Sequence, residues 1–381
     1  GLRSGLFTSP HLYRFNERFR IDGVAIDDAR LAALMAQVST AIARVARQRG
    51  ERFGAFEAQF ALACLYFQDE DCAFMVFEAG IGGRYDPVRL VGATVTCVAS
   101  VDFEHVSLLG NSLEFIAADK SDACAAGGTV VYGENCRPLR DHLTAYNRSR
   151  NVESLFVRDE IAIDHETTVA DGERFDLRFA RHHLRDLVIG LSGAFQINNA
   201  AIAASLFLRW ATQSHIARDA DALQRAIRQG LAETRWPGRL ETIRRDPLTV
   251  IDVGHTPDGI ARALDGLHRT HGADGWLLVT GVSHDKSADE IVAWLAPAFD
   301  TIVATTAHHK GAPAETIAAA ARRANPTAAV HVAPRIEDAV ALSTELATTR
   351  DRKIFVAGGL FLAIEYATAM RGGRPQDLVF F

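Results

Sequence analysis

Acidic and imidazole side chains follow two apolar runs in the first third of the chain. Phe74 to Phe77 are apolar, Glu78 follows them, and a glycine-rich stretch begins at Gly80. The run from 93 to 101 ends in a similar way, in Asp102-Phe103-Glu104-His105. Continuous apolar runs are typical of parallel strands buried on both faces, so we expect a central strand ending at Glu78 and an adjacent strand ending at Asp102. Open α/β sheets bind ligands at the carboxyl ends of their strands, which predicts a site at this edge.

A lysine lies on the apolar stripe of the next predicted helix. With Asn111 or Ser112 as the cap, the helical period places Lys120 on the same side as Leu113 and Ile116. Lysine rarely faces a protein core without a partner. Spacing alone leaves two interpretations open, a side chain that extends its ammonium to the surface and a functional amine.

The order of predicted elements indicates an α/β fold with two doubly wound domains. Strand-like and helix-like segments alternate through most of the chain, which predicts parallel sheets. Residues 151–188 instead read as short antiparallel strands with polar turns. Trp236-Pro237-Gly238 interrupts the second half, and we predict one domain over residues 1–235 and a smaller one over 236–381.

Composition excludes several classes of protein. The net charge of -6 argues against nucleic acid as a partner. The five cysteines contain no Cys-x-x-Cys pair and are better explained as free thiols than as disulfides or zinc ligands. Because the sequence has neither a membrane-spanning segment nor a secretory leader, we expect a cytoplasmic protein that does not bind membranes.

Several motifs occur in a fixed order along the whole chain. They are Thr8-Ser9-Pro10-His11-Leu12 with Arg14-Phe15-Asn16-Glu17-Arg18, Phe56-Glu57, Glu78-x-Gly80-Ile81-Gly82-Gly83-Arg84, His105 with Leu109-Gly110, Lys120, Gly193-x-x-Gln196-x-x-Asn199-Ala200, Pro237-Gly238-Arg239-Leu240-Glu241, Asp252-x-x-His255-x-Pro257 and Asp285-Lys286. In this order they resemble the folylpolyglutamate synthase/dihydrofolate synthase branch of the Mur ligase superfamily.

The resemblance implies an ATP-dependent ligase with an N-terminal ATPase domain and a C-terminal ligase domain. In this family an acceptor carboxylate takes the γ-phosphoryl group of ATP, and the amine of an amino acid then displaces phosphate to form an amide. Magnesium is expected as the cofactor, because it neutralises charge while phosphoryl oxygens move. The implied substrates are ATP, L-glutamate and a folate or dihydropteroate acceptor, and the implied oligomeric state is a monomer.

The resemblance also assigns roles to particular residues. It implies a metal site of Ser9, Glu78 and His105, a carbamylated Lys120 beside it, and catalytic roles for Lys120, His105, Arg239 and His255. Gln196 and Asn199 would lie near the adenine, Arg239 at the phosphates, Asp252 at the ribose and His255 between the domains. Structural alternatives exist, because Gln and Asn often end helices and Asp252 could simply end a strand.

One family motif does not occur in the sequence. The phosphate-binding loop Gly-x-x-x-x-Gly-Lys-Ser/Thr, which the family carries before the Thr8 motif, is found nowhere in the 381 residues. Without its backbone amides and lysine, these residues should bind ATP poorly and transfer no phosphoryl group. The sequence starts at Gly1 inside a predicted strand, so we expect an N-terminally truncated ligase; the alternative is a non-catalytic homologue.

Smaller departures concern the acceptor. Glu104 and Phe195 differ from the residues usual in the family, Asp86-Pro87-Val88-Arg89 replaces Asp-Ala-Thr-Asn, and Thr256 replaces an asparagine. The same ligase chemistry on a non-folate acid is therefore the alternative to a folate acceptor.

Overall fold

Strands and helices alternate along most of the chain in the computed structural model, which describes residues 2–170, 172–214 and 219–380. The strands are β1 Ser4–Phe7, β2 Phe19–Ile21, β3 Val24–Ala25, β4 Phe74–Phe77, β5 Val95–Val98, β6 Thr129–Tyr132, β7 Glu153–Phe156, β8 Ile161–Val169, β9 Gly172–Phe179, β10 His182–Ile189, β11 Glu241–Arg245, β12 Leu248–Ile251, β13 Trp276–Thr280, β14 Thr301–Thr305, β15 Ala329–Ala333 and β16 Lys353–Val356. The helices are α1 Asp28–Arg49, α2 Ala55–Asp69, α3 Val106–Leu109, α4 Leu113–Ser121, α5 Arg140–Ser149, α6 Phe195–Gln213, α7 Ala220–Glu233, α8 Pro257–His271, α9 Ala288–Leu295, α10 Ala314–Ala324, α11 Ile336–Arg350 and α12 Leu360–Met370.

The C-terminal part of the chain forms one six-stranded sheet in the order β11-β12-β16-β13-β14-β15. All its neighbouring pairs are parallel except β11 with β12. Apolar side chains of successive strand residues point to opposite faces, and a separate core cluster covers each face, one built with α8, α9 and α10 and the other with α11 and α12. The predicted doubly wound arrangement is confirmed here.

The parallel strands of the N-terminal part lie in two separate small sheets instead of one. Their orders are β3-β2-β1-β4 and β5-β6-β7. The prediction that Phe74 to Phe77 form a central strand is wrong for the described residues, because β4 is the edge of its sheet and pairs only with β1. The predicted pairing with the next strand is also wrong, since β5 belongs to the other sheet. As a consequence, Met75 is 45% and Val76 44% exposed.

Helix α6 connects these two sheets. At its C-terminal end, the Trp210 ring lies 4.5 Å from the ring of Phe74, the first residue of β4. Gln213 accepts a hydrogen bond of 3.2 Å from the hydroxyl of Thr94, which immediately precedes β5. Both strands therefore start at the same end of α6, and each lacks a strand partner on one side among the described residues.

The antiparallel appendix predicted between residues 151 and 188 is confirmed. β8, β9 and β10 form a three-stranded antiparallel sheet in the order β10-β9-β8. Apolar residues of this sheet pack against α6 and α7 in a common core cluster. Helices of the described ranges include none that combines the length and apolarity needed to cross a bilayer.

Candidate active site

A cavity of 1040 Å³ lies between the N-terminal elements and the carboxyl edge of the C-terminal sheet. Six residues predicted to form the site line it, namely Lys120, Gln196, Asn199, Arg239, Asp252 and His255. They come from distant parts of the sequence, because α4 and α6 supply one wall and the loops before β11 and after β12 supply the other. The position agrees with the rule that α/β sheets bind ligands beyond the carboxyl ends of their strands.

Asp252 directly follows β12 and is buried. One carboxylate oxygen accepts the backbone N–H of Leu240 at 3.1 Å, and the other accepts that of Gly254 at 2.7 Å. Burial raises the pKa of Asp252, while the positive charge of Arg239 and the two N–H groups oppose that shift. The side chain therefore fixes the two loops that carry Arg239 and His255, a structural role that it has in addition to any ligand contact.

The start of α6 supplies amide side chains to the opposite wall. The Asn199 side-chain N–H donates to the Gln196 side-chain oxygen at 2.9 Å, so the two predicted residues form one unit. Asn198, which the sequence analysis did not select, accepts the backbone N–H of Glu134 at 3.0 Å and also lines the cavity. The only sequence signal for Asn198 is its position between two selected residues on the first turns of the helix.

Lys120 lies near the end of α4, half-buried and facing the cavity. Among the described residues it has neither an ion pair nor a side-chain hydrogen bond. Asp102 and Glu104 line the same cavity. The helical period placed Lys120 on the core-facing stripe, and the side chain is half-buried there with its amine available to a ligand in the cavity.

Ser9 and Glu78 meet at the ends of the parallel strands β1 and β4. The pairing of Phe7 with Phe77 brings the two chain segments together, and the backbone N–H of Ser9 donates to a Glu78 carboxylate oxygen at 2.8 Å. Partial loss of water raises the pKa of Glu78, although Ser9, Arg239 and Arg18 act in the opposite direction. A carboxylate oxygen beside a serine residue is the kind of hard oxygen ligand that a divalent cation such as Mg²⁺ prefers.

His105 is exposed and precedes α3 with a backbone φ of 50°. Across residues 2–170, 172–214 and 219–380, no three His, Cys, Asp or Glu side chains are grouped closely enough to hold a metal ion. A role for His105 beside Ser9 and Glu78 stays a prediction. A Mg²⁺ ion with few protein ligands would complete its coordination with water and substrate oxygens.

Arg239 connects the Ser9–Glu78 pair with the cavity. Burial raises the pKa of both Glu78 and Asp252, and the positive charge of Arg239 opposes this rise at each, so Arg239 acts on an acid of each half of the molecule. His255 is exposed on the loop after β12, and its Nδ1 lies 3.4 Å from the Val253 carbonyl oxygen. Both residues occupy positions from which they could contact a polyanionic ligand spanning the two halves.

Charged residues of α8 and of the antiparallel appendix also line the cavity and were not selected from the sequence. On α8, Arg262 donates to Asp258 at 2.7 Å, one turn away. On the appendix side, Arg158 pairs with Glu166. Their spacing resembles ordinary surface ion pairs, so no sequence signal separates them from solvated charges.

Comparisons with known proteins give concordant results. Residues 238–359 match the family model "Mur ligase, glutamate ligase domain". The folylpolyglutamate synthase (FPGS) of Lacticaseibacillus casei is 31% identical over 381 residues, covering 98% of this chain and 85% of that protein. The solved Mycobacterium tuberculosis FPGS complexed with ADP matches with a TM-score of 0.85 and 27% identity, covering 97% of this chain and 84% of that one. An FPGS–AMPPCP–folate complex matches with a TM-score of 0.80 and 29% identity, covering 96% and 82%.

Proposed function

The chain belongs to the folylpolyglutamate synthase family of Mur ligases, and we propose that it acts as an ATP-dependent ligase that adds L-glutamate to a folate or dihydropteroate acceptor. The relatives with this name include proteins solved with ADP and with AMPPCP and folate. The observation that carries the proposal is the cavity in which Gln196, Asn199, Arg239 and Asp252 meet, although they come from both halves of the chain.

The residues suit the two steps of an acyl-phosphate mechanism. The acceptor carboxylate attacks the γ-phosphorus of ATP and ADP leaves; the glutamate amine then attacks the acyl carbon and phosphate leaves. Gln196 and Asn199 would orient the adenine, Asp252 the ribose and Arg239 the phosphates. A magnesium ion held by Ser9 and Glu78, with His105 as the third predicted ligand, would neutralise phosphate charge.

Lys120 would act as a carbamate near this ion. An unpaired amine that lines the cavity is available to react with carbon dioxide, losing a proton and gaining an anionic group with two oxygens. The carbamate would suit the neighbourhood of Mg²⁺, whereas an ammonium would repel it. Incorporation of ¹³C from labelled bicarbonate, seen by NMR in the native sequence and absent after Lys120→Arg, is the expected result. Equal labelling of both proteins would remove the carbamate from the proposal.

We also propose the functional division of the chain. Residues 1–235 would bind ATP and residues 236–381 would complete the ligase site, with His255 between them. The two core clusters of the C-terminal sheet support this division, because their buried members all lie between Leu240 and Phe380. The proposed enzyme is a cytoplasmic monomer without a nucleic-acid partner, in line with its net charge of -6.

The test is ATP-dependent incorporation of labelled L-glutamate into pteroate or folate by the protein as its own organism produces it. We expect incorporation, and a loss of at least about a hundredfold in Arg239→Gln, because a charge near the transferring phosphoryl group is removed. Arg235→Gln is the matched control, since Arg235 is exposed and, within the described part of the chain, its side chain donates only to the nearby carbonyls of Ala232 and Thr234.

Two outcomes would change the proposal. Glutamate entering a different carboxylic acid and no folate would replace the acceptor, while absence of any glutamate incorporation would support a non-catalytic homologue. A polypeptide of only these 381 residues should bind ATP weakly, because the sequence contains no Gly-x-x-x-x-Gly-Lys-Ser/Thr loop. Isothermal titration calorimetry with ADP measures this nucleotide affinity separately from glutamate incorporation.

A further inference from the structure

The segment after Ser9 leaves the N-terminal sheet and packs on the C-terminal part of the molecule. Leu12 and Tyr13 pack against the core cluster that contains α12 and Phe380. The Tyr13 hydroxyl accepts a hydrogen bond from Arg371 at 3.1 Å, and Arg371 also donates to Glu241 at 2.8 Å. A residue four positions from Ser9 is therefore held by the opposite half of the chain.

His11 lies between these two regions and is almost completely buried, with 2% of its surface exposed. Its Nε2 lies 2.6 Å from the backbone carbonyl oxygen of Val379, near the C-terminal end of the described chain. The Nε of Arg18 donates to its Nδ1 at 2.9 Å. A carbonyl can only accept and a guanidinium can only donate, so the imidazole is neutral and carries its proton on Nε2.

Arg18 is buried as well, with 5% exposed, and its hydrogen bonds go to neutral groups. Besides His11, it donates to the side-chain oxygen of Gln59 at 2.9 Å. Among the described residues no carboxylate lies within ion-pair distance of Arg18, but the backbone places this residue beside the Ser9–Glu78 contact. Its carbonyl oxygen accepts the N–H of Thr8 at 3.1 Å, and the next N–H along the chain, that of Ser9, donates to Glu78. The guanidinium is thus held near Glu78 without pairing with it.

We propose that His11 is a positioning residue that couples docking of the C-terminal tail to the geometry of Ser9 and Glu78. The Val379 carbonyl fixes His11, which through Pro10 fixes Ser9, whose N–H donates to Glu78. At the same time His11 supplies the acceptor that keeps Arg18 from pairing with Glu78. The coupling between the C-terminal tail and Ser9 depends on geometry alone, whereas its consequence for a metal ion rests on the proposed function.

Loss of His11 has a specific consequence for charge. Arg18 would lose one of its two neutral acceptors, and a buried donor without an acceptor is unfavourable, more so when it is charged. Glu78 is the nearby acid that could replace the lost acceptor. A Glu78 carboxylate paired with Arg18 would be a poorer ligand for a divalent cation.

Amide hydrogen exchange tests the coupling directly. The backbone N–H groups of Ser9, Leu12 and Tyr13 are suitable reporters, because they donate to the carboxylates of Glu78 and Glu17. We expect His11→Phe, which keeps an aromatic ring and removes both hydrogen bonds, to raise exchange of the Ser9–Tyr13 segment at least about tenfold. His11→Gln, which retains one donor and one acceptor, should stay close to the native sequence.

A substitution in the C-terminal tail, on the other side of the His11–Val379 contact, should also speed amide exchange. Phe380 is buried beside Val379, so Phe380→Ala loosens the tail while both side chains of the His11–Arg18 hydrogen bond are retained. We expect faster exchange of the Ser9–Tyr13 segment, with little further increase when Phe380→Ala is combined with His11→Phe. Tyr366→Phe is the control, because it removes a 2.7 Å hydrogen bond to Ser343 in the same core cluster and does not touch the tail contact. Unchanged exchange in both His11→Phe and Phe380→Ala would overturn the coupling.

Mn²⁺ binding in the presence of ADP, followed by loss of the free-ion EPR signal, tests the role of Arg18. We expect affinity about tenfold weaker in His11→Phe and recovered in His11→Phe/Arg18→Gln, where no guanidinium can pair with Glu78. Equal affinity in the native sequence and His11→Phe would overturn this part of the proposal. If exchange shows the coupling but Glu78→Gln binds Mn²⁺ as the native sequence does, the metal site of the proposed function is wrong and the positioning role stands.

Discussion

β13 and β14 in the C-terminal sheet are buried at every residue, whereas β4 in the N-terminal part exposes its two middle residues. All three strands are short apolar runs followed by small or polar residues. They differ in their neighbours, because β13 and β14 have a strand on each side and β4 has a strand on one side only. Local sequence therefore determines which segments become strands, while burial depends on what pairs with them.

The difference in strand neighbours also distinguishes the site acid of the C-terminal sheet from the site acid that follows β4. Asp252 follows a strand inside the continuous sheet, is buried, and receives two backbone N–H groups. Glu78 follows the edge strand, stays accessible, and receives one N–H from Ser9. The acid of the continuous sheet is thus fixed by the fold, and the acid of the open sheet keeps oxygen lone pairs for a ligand.

The largest difference in the free energy of unfolding that denaturation can measure compares one strand residue from each region. Ile302→Ala in β14 removes a fully buried side chain and should lower the free energy of unfolding by about 3 kcal/mol. Met75→Ala in β4 removes a side chain that is already half in water and should cost less than about 1 kcal/mol. Urea denaturation measures both. A cost for Met75→Ala equal to that for Ile302→Ala would mean that β4 is covered in solution.

The sequence predicted most of the strands and helices, because apolar period and capping residues are local signals. Asp27, a residue type that favours helix caps, accepts the Arg30 backbone N–H at the start of α1, and the mainly β-branched run Thr129–Tyr132 forms β6. The neighbours of β4 could not be predicted in this way. A run such as Phe74–Phe77 has the same composition at the centre or the edge of a sheet, so its pairing depends on distant segments.

For the site, the family resemblance selected residues that the fold does bring into one cavity, among them Lys120, Gln196 and Arg239. Asn198 and His11 were missed as site residues for different reasons. The contact of Asn198 is with a backbone N–H in another segment, which leaves no trace in the sequence. His11 was quoted only as part of a motif, and its partners lie seven and 368 residues away.

Helix caps give the second prediction, again with one site in each region. The Thr256 side chain accepts the Gly259 N–H at 3.2 Å at the start of α8, so Thr256→Ala should cost about 1 kcal/mol. Ser112 occupies the corresponding position of α4, but its hydroxyl bonds with Glu114 and caps no backbone N–H. Ser112→Ala should therefore change the free energy of unfolding by less than about 0.5 kcal/mol. Equal costs in thermal denaturation would show that Ser112 caps α4 in solution.

The loss of folding stability at acid pH is a smaller expected effect, and its direction can be predicted. Hydrogen bonds from Arg137 and Arg140 lower the pKa of Asp159, and Arg352 does the same for Asp300 in the C-terminal part. A depressed pKa in the folded state stabilises the fold above the unfolded pKa of about 3.9, and that contribution is lost as the pH falls through the folded pKa. Asp159→Asn should cost about 0.5–1 kcal/mol at pH 7, and the difference from the native sequence should shrink below about pH 3.

Asp300→Asn serves as the paired measurement for the acid prediction. The Asp300 side chain is more exposed than that of Asp159, so its loss should lower Tm less at pH 7 with the same pH dependence. A Tm difference for Asp159→Asn that persists unchanged at pH 2.5 would show that packing, and not charge, is responsible.

The smallest expected change is at the open edge itself. Val76→Lys places a charge on a residue of β4 that is 44% exposed, and should change the free energy of unfolding by less than about 0.5 kcal/mol. Val303→Lys in β14 buries the same charge in the core cluster on one face of the C-terminal sheet and should abolish folding, because an unpaired buried ammonium is very costly. Urea denaturation of Val76→Lys over a range of protein concentrations separates two explanations of a larger cost. A cost that grows with concentration means that a second molecule covers the β4 edge, since lysine at a strand edge blocks such pairing. A large cost that is independent of concentration means that the edge is filled within one molecule, and the difference in strand burial between the two regions would then no longer hold.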